Sequence, residues 1–320
     1  MPHKNDRFIA CHLITLQEIF RMLTFNQRPA AAMGSAGGVS RRHSLGMLLA
    51  LGVAPAFAED ELDDLAKIRA RGTLKVAVYK DNAPFSSGAV SDMTGLDVAL
   101  AQGLARQLKL KLALLPFDAG ESMNDDLRNM VWKGHYLGYG PADVMLNVPV
   151  DKYLMQQNRQ VTIFSPYMRQ MPVLFHRASK LPQVNDPSDL TGHTLAAERG
   201  TGAASALLGH NSGLLSAQVT LFNSGMDAAT AVLQGQVEAA YVLRSQAEAA
   251  TAQSKAKPEH FVITPLRLTG LPDNGWPLGM AIKSNYKDLG QALDAAMQAL
   301  RDNGELLAMF KSRGLTLTAP

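Results

Sequence analysis

Cysteine is nearly absent. Cys11 is the only one in 320 residues, so the chain after the N-terminal segment has no internal disulfide, thiol nucleophile or Cys-based zinc site. Aromatic residues make up 6% of the chain, with two tryptophans. No stretch approaches the roughly 18 uninterrupted apolar residues that a membrane span needs. Charge of one sign is also missing: residues 1–58 hold six Lys and Arg against two acids, which leaves 25 and 26 in residues 59–320. That balance excludes a basic nucleic-acid footprint. His135, His176, His193, His210 and His260 include no pair at the spacing of two metal ligands on one helical face. A G-x-S-x-G elbow and a P-loop are absent as well.

At 47% apolar and 18% charged the composition is globular, and a single hydrophobic core stops growing at roughly 250–300 residues, so two cores or two lobes are expected. Ser40-Arg41-Arg42, the apolar run Leu45–Val53, Ala54-Pro55-Ala56-Phe57-Ala58 and the acidic Glu59-Asp60-Glu61 follow one another in the layout of a signal peptide. Cleavage is expected after Ala58 and the mature chain in the periplasm. The paired arginines also suit twin-arginine export, although His43-Ser44 departs from the apolar residues usual there. Met33 offers a second start, with residues 1–32 ahead of it.

Leu74–Val78 alternates as a strand, Leu96, Leu100, Leu104 and Leu108 recur at helical spacing, and Leu110–Leu114 alternates again, which makes a βαβ unit. Further strands are expected at 143–146, 194–197, 219–222 and 239–243, and helices at 201–208 and 227–233. The closing helices, 287–300 and 305–310, are separated by Asp302-Asn303-Gly304. The expected class is α/β with parallel sheets.

Gly72-Thr73-Leu74-Lys75-Val76-Ala77-Val78, Ala83-Pro84-Phe85, Thr94-Gly95-Leu96-Asp97-Val98, Ala142-Asp143-Val144-Met145, Phe164-Ser165-Pro166-Tyr167, Asp189-Leu190-Thr191-Gly192 and Arg199-Gly200-Thr201-Gly202 occur in that order. With these motifs the chain resembles the family 3 periplasmic solute-binding proteins from about residue 72 to 314. The resemblance implies a type II periplasmic-binding-protein fold with two hinge-crossing strands, lobe 1 at 59–171 and 282–320 and lobe 2 at 172–281. It also implies a monomer without cofactor that binds a small polar solute between the lobes, with an ABC permease as partner; some relatives of this fold are enzymes, but the sequence offers no clear acid–base pair, so binding rather than catalysis is expected.

Loops after strand C-termini line the crevice of an open α/β sheet. Asn82 and Phe85 in the turn 80–85 are therefore ligand candidates, as is Phe117, although both phenylalanines fit a core role equally well. Asn147 and Asp151, which follow the strand at 143–146, are ligand candidates too. Glu198, Gly200, Thr201 and Gly202 join a strand to a helix whose N-terminus favours an anion or polar oxygen, and Thr201 is also a candidate N-cap. Family members that bind amino acids usually place an Arg and an Asp where this chain has Met155 and Leu243. Arg159 and Arg244 lie near the first and second of these positions, Arg244 is a further ligand candidate, and free α-amino acids are not the expected ligand.

The segment 131–140 is longer than the corresponding family connection. Its Trp132, Tyr136 and Tyr139 are candidates for docking a partner or for a packed loop. Residues 143–151 also resemble the J accessory proteins of quinoprotein methanol dehydrogenases. That resemblance implies an alternative partner, a periplasmic quinoprotein dehydrogenase, although Ala239–Leu243 lacks the Trp-Gly-Pro associated with that branch.

Overall fold

The computed structural model describes residues 63–320. The expected signal peptide lies outside them. Asp63 accepts a hydrogen bond from the Ala66 N–H and starts α1 (Asp64–Arg71), which Gly72 closes at φ 72°. β1 (Thr73–Tyr79), α2 (Leu96–Gln107) and β2 (Lys111–Phe117) form the expected βαβ unit, with β1 and β2 parallel. A short helix α3 (Met123–Leu127) runs into a π-turn at Arg128–Trp132, and β3 (Val144–Pro149), α4 (Lys152–Gln157) and β4 (Val161–Gln170) follow.

β5 (Pro172–Arg177), β6 (Leu195–Glu198), α5 (Gly202–Gly209), β7 (Val219–Phe222), α6 (Gly225–Gln234), β8 (Ala239–Leu243), α7 (Arg244–Gln253) and β9 (Phe261–Thr264) build the second lobe. The chain then returns through β10 (Trp276–Lys283), α8 (Lys287–Asp302) and α9 (Glu305–Lys311).

Two five-stranded sheets result, in the orders β2-β1-β3-β10-β4 and β7-β6-β8-β5-β9. In each, the first three strands are parallel, the fourth runs opposite to them, and the fifth pairs antiparallel with the fourth. This corrects the expectation of parallel sheets. β4 and β10 were hidden because β4 contains Pro166 and β10 contains Pro277, and proline argues against an interior strand. β4 accommodates it with a bulge: its pairing to β10 shifts register between Leu278 and Met280, opposite Ser165 at φ 49°.

Both sheets are covered on both faces. In lobe 1, Leu74, Val76 and Val78 of β1 meet Leu96, Leu100 and Leu104 of α2 on one side, while Ala77 and Tyr79 join Leu127 and Met130 on the other. In lobe 2 the same alternation sends Ala197 and Tyr241 to one cluster and Ala196, Ala240 and Val242 to the other.

Met171 alone separates β4 from β5. The second crossing lies between Thr264 and Trp276, since β10 pairs with β4 from Trp276 onward; the expected 281/282 boundary therefore falls inside β10. The C-terminal tail straps the hinge: Arg169 donates its N–H to the Thr318 carbonyl at 3.0 Å, and the Thr316 N–H donates to Glu248 of α7 at 2.7 Å.

Gly275 sits in the second crossing at φ 61°, and a Cβ there would lie 1.8 Å from the Gln170 carbonyl oxygen at the end of β4. Gly275→Ala should therefore destabilise the protein by about 2–4 kcal/mol, combining left-handed strain with a backbone clash at the hinge. Gly192→Ala has a similar φ of 85° but nothing within 4 Å, and should lose only about 1 kcal/mol. Urea unfolding of both variants checks this; equal losses would show that the close approach at the hinge is not the cause.

Candidate functional site

The C-terminal ends of β1 and β2 in lobe 1 and of β6 in lobe 2 meet at a cavity of about 30 Å³. Tyr79, Lys80, Asp81, Asn82, Phe117 and Asp118 line it from lobe 1, and Glu198 lines it from lobe 2. In this arrangement it has room for about a single water, so a larger ligand requires the lobes to part. A wider depression of about 390 Å³, open to solvent beside β7 and α6, is formed by lobe 2 alone.

Lys80 donates to Asp118 at 2.8 Å, and this bond together with the Asp118 and Asp81 charges raises the Lys80 pKa. Tyr79 and Phe117, both buried, pack with ring centroids 4.6 Å apart. Across the cleft, Glu198 Oε2 accepts from the Gly225 N–H at 2.9 Å and from Gln246 Nε2 at 3.2 Å. Gln246 Oε1 in turn accepts from the Leu243 N–H at 3.0 Å. Removal from water raises the Glu198 pKa, and these donors offset part of the rise. A Cβ on Gly225 would lie 2.0 Å from Gln246 Oε1, so only glycine admits this bracket.

Two more buried carboxylates stand in lobe 1. Asp97, in the first turn of α2, accepts from Asn147 Nδ2 at 2.9 Å and from the Tyr167 hydroxyl at 3.3 Å, and that hydroxyl accepts from the Asn147 N–H at 3.1 Å. Asp126 accepts from the Tyr79 hydroxyl at 2.8 Å and the Gly120 N–H at 2.7 Å. Burial pushes both acids up to about 6, against the hydrogen bonds that hold them down.

Of the residues expected to bind ligand, Asn82, Phe117 and Glu198 therefore share one cavity. The others lie outside that lining. Phe85 is buried in the lobe 1 core, where its carbonyl accepts from the Asp97 N–H at 2.8 Å. Asn147, at φ 62°, is bound to Asp97. Asp151 caps α4 through the Leu154 N–H. Thr201 caps α5 through the Ala204 N–H and donates to the Glu198 carbonyl, and Gly200 and Gly202 flank it outside the cavity lining. Arg244 pairs with Glu248 at 2.7 Å beside the C-terminal tail. Met155 packs against the core cluster around Met130, and Arg159 is exposed after α4.

Lys80, Asp81 and Asp118 were not among the candidates, although Lys80 and Asp81 belong to the same turn as Asn82 and Asp118 follows Phe117. The signal was the strand ends themselves, which place charged side chains immediately beyond buried aromatics.

Trp132 packs partly buried against the lobe 1 core. Tyr136 is 88% exposed and Tyr139 39% exposed, with His135 between them at centroid distances of 4.3 and 4.2 Å. Tyr139 lies close enough to Lys80 and Asp118 for both charges to act on its hydroxyl, which puts the aromatic loop at the lobe 1 rim of the cleft.

A family model described as NMT1/THI5 like matches residues 152–306, slightly under half of the chain. An ancestral cationic amino acid solute-binding protein matches in structure with a TM-score of 0.61 at 21% identity, over 78% of this chain and 99% of its own. An amino acid ABC transporter substrate-binding protein from Streptococcus pneumoniae, bound to L-arginine, gives 0.56 at 21% identity over 80% and 100%. An ancestral amino-acid-binding protein, a precursor of cyclohexadienyl dehydratase, gives 0.53 at 20% identity over 79% and 100%. No curated protein matches in sequence. The chain has the two-lobed fold of the type II periplasmic binding proteins. Among the described residues no helix is long and apolar enough to cross a membrane.

Because Asp97 and Asp126 hold their protons to about pH 6 when folded, against about 4 when unfolded, their contribution to stability is greatest in acid and falls as pH rises through about 6. Asp97→Asn, which is neutral throughout, should lose less stability than the parent between pH 4.5 and 7.5, by about 2 kcal/mol. Urea midpoints at the two pH values measure it. A variant-to-parent difference that is the same at both would mean that Asp97 titrates normally.

Proposed function

We propose that this protein binds a small polar solute between its lobes in the periplasm and presents it to an ABC-type permease. The observation that carries the reading is a cavity at the C-terminal ends of the parallel strands, lined from both lobes, at the place where α/β sheets receive ligands. Two short crossings allow the lobes to part and close around such a ligand. The matched proteins named for amino acid binding and ABC transport support the same reading. The cavity offers hydrogen-bonding and charged groups without an acid–base pair poised at a reacting centre, which favours binding over catalysis.

Free α-amino acids remain poor candidates. Met155 is packed in lobe 1, Leu243 ends β8 with its N–H held by Gln246, and Arg244 is engaged by Glu248. Truncating one member of a desolvated charge pair typically costs about 2–5 kcal/mol, so an amino acid missing both anchors should bind no tighter than millimolar.

A second reading, an accessory protein for a quinoprotein dehydrogenase, draws on the exposed stack of His135, Tyr136 and Tyr139, since such aromatics serve as interface anchors.

Thermal-shift screening of small polar metabolites, followed by small-angle scattering of each stabilised sample, separates the two. Import predicts a compound that raises the melting temperature and reduces the radius of gyration. The accessory role predicts no such compound, together with a copurifying dehydrogenase that is lost in Tyr136→Ala.

A further inference from the structure

We infer that the cleft selects a small organic cation without a carboxylate, an amine or guanidinium compound, and that Glu198 is the specificity-determining residue of lobe 2. This rests on the solute-binding reading and narrows it by charge.

Three carboxylates line the cavity, Asp81, Asp118 and Glu198, against the single ammonium of Lys80. Lys80 is already paired with Asp118 at 2.8 Å and has Asp81 beside it, so a ligand carboxylate reaching it would have to displace one acid and approach the other. When the lobes close, field lines from like charges concentrate in the low-dielectric gap, which repels anions and raises the local concentration of cations.

The lobe 2 wall reinforces this. The N-terminus of the ten-residue helix α6 is the natural place for an external anion, because its free N–H groups and dipole favour negative charge. Here the protein supplies that anion itself: Glu198 Oε2 takes the Gly225 N–H, and Gln246 Nε2 holds the same oxygen from the other side. Both bonds end on Oε2, so Oε1 remains available. The carboxylate is thus fixed in place by neutral donors, partly removed from water, and raised in pKa by that removal. A ligand cation is the group that would restore its lost solvation.

The rim has the same preference. Tyr139 lies beside Lys80 and Asp118, and the ring face that His135 does not cover attracts cations through its quadrupole. Neither Met155 nor Leu243 offers a charge to a ligand carboxylate, which is why the compound is an amine or guanidinium without one.

The test is calorimetry on the mature chain, partly unfolded and refolded to strip carried-over ligand. The cationic probes are agmatine, putrescine and tetramethylammonium, the anionic probes succinate and glutarate, and arginine is the amino acid carrying both charges. At least one cationic probe should bind and the anions should not. Glu198→Gln, which retains an acceptor for the Gly225 N–H, should weaken that cation by about thirtyfold or more. Asp81→Asn, in the other lobe, should weaken it less and serves if the first variant does not fold. Binding of succinate in preference to every cation, tighter binding of arginine than of agmatine, or equal cation affinity in the parent and both variants overturns the inference. In the first two cases the solute-binding reading survives. If no probe of either charge binds and scattering shows no closure with any metabolite, both readings fall.

Discussion

A carboxylate withdrawn from water must be compensated where it lies, and in this protein three of them are held by neutral donors. Asp97 draws Asn147 and Tyr167 to the start of α2, Asp126 draws Tyr79 and the Gly120 backbone to α3, and Glu198 draws Gly225 and Gln246 to the end of β6. Leaving such a group unsatisfied costs several kcal/mol, so each acid acts as a node that fixes the ends of neighbouring elements. The strand ends around the cleft are therefore set by polar bonds beneath and beside them as much as by the apolar layers. Asp143 differs, since it lies against the guanidinium of Arg71 and the Lys75 N–H at the opposite ends of the strands.

The same nodes explain what could be read in the sequence. Apolar periodicity depends only on which face is buried, so β1, α2, β6, β8 and α8 were legible from Leu, Val and Ala spacing alone. Gly95 was legible as a motif, and its reason is now visible: a Cβ there would lie 2.1 Å from the Phe85 carbonyl oxygen. β4 and β10 were not legible, because their prolines and the bulge at Ser165 break the local pattern and only pairing across more than a hundred residues restores it.

Polar residues beyond the strands follow a different rule. Asn147 and Asp151 are polar and sit just beyond a strand, where a ligand contact is expected, but what a polar side chain bonds to depends on neighbours distant in the chain. Asn147 is claimed by Asp97, fifty residues earlier. Asp151 and Thr201 are claimed by their own helices. Glu198 kept a place at the cavity even though one of its oxygens is committed, because its donors come from the side of lobe 2 and leave the carboxylate at the wall.

The strand orders of the two sheets are alike, yet they have unequal consequences for how the chain matures. In lobe 2, β5 to β9 are contiguous, so every pairing can form within residues 172–264. In lobe 1, β4 joins the sheet only through β10, which comes more than a hundred residues later, after the whole of lobe 2. Contacts that close long loops form late, because the entropy of closure must be met before they are rewarded. Until β10 inserts between β3 and β4, the open edge of β3 and the unpaired backbone of β4 are exposed to any other chain able to form a strand. The folding hazard of this molecule is thus concentrated in one late insertion, and completing that insertion is also what ties the two lobes together.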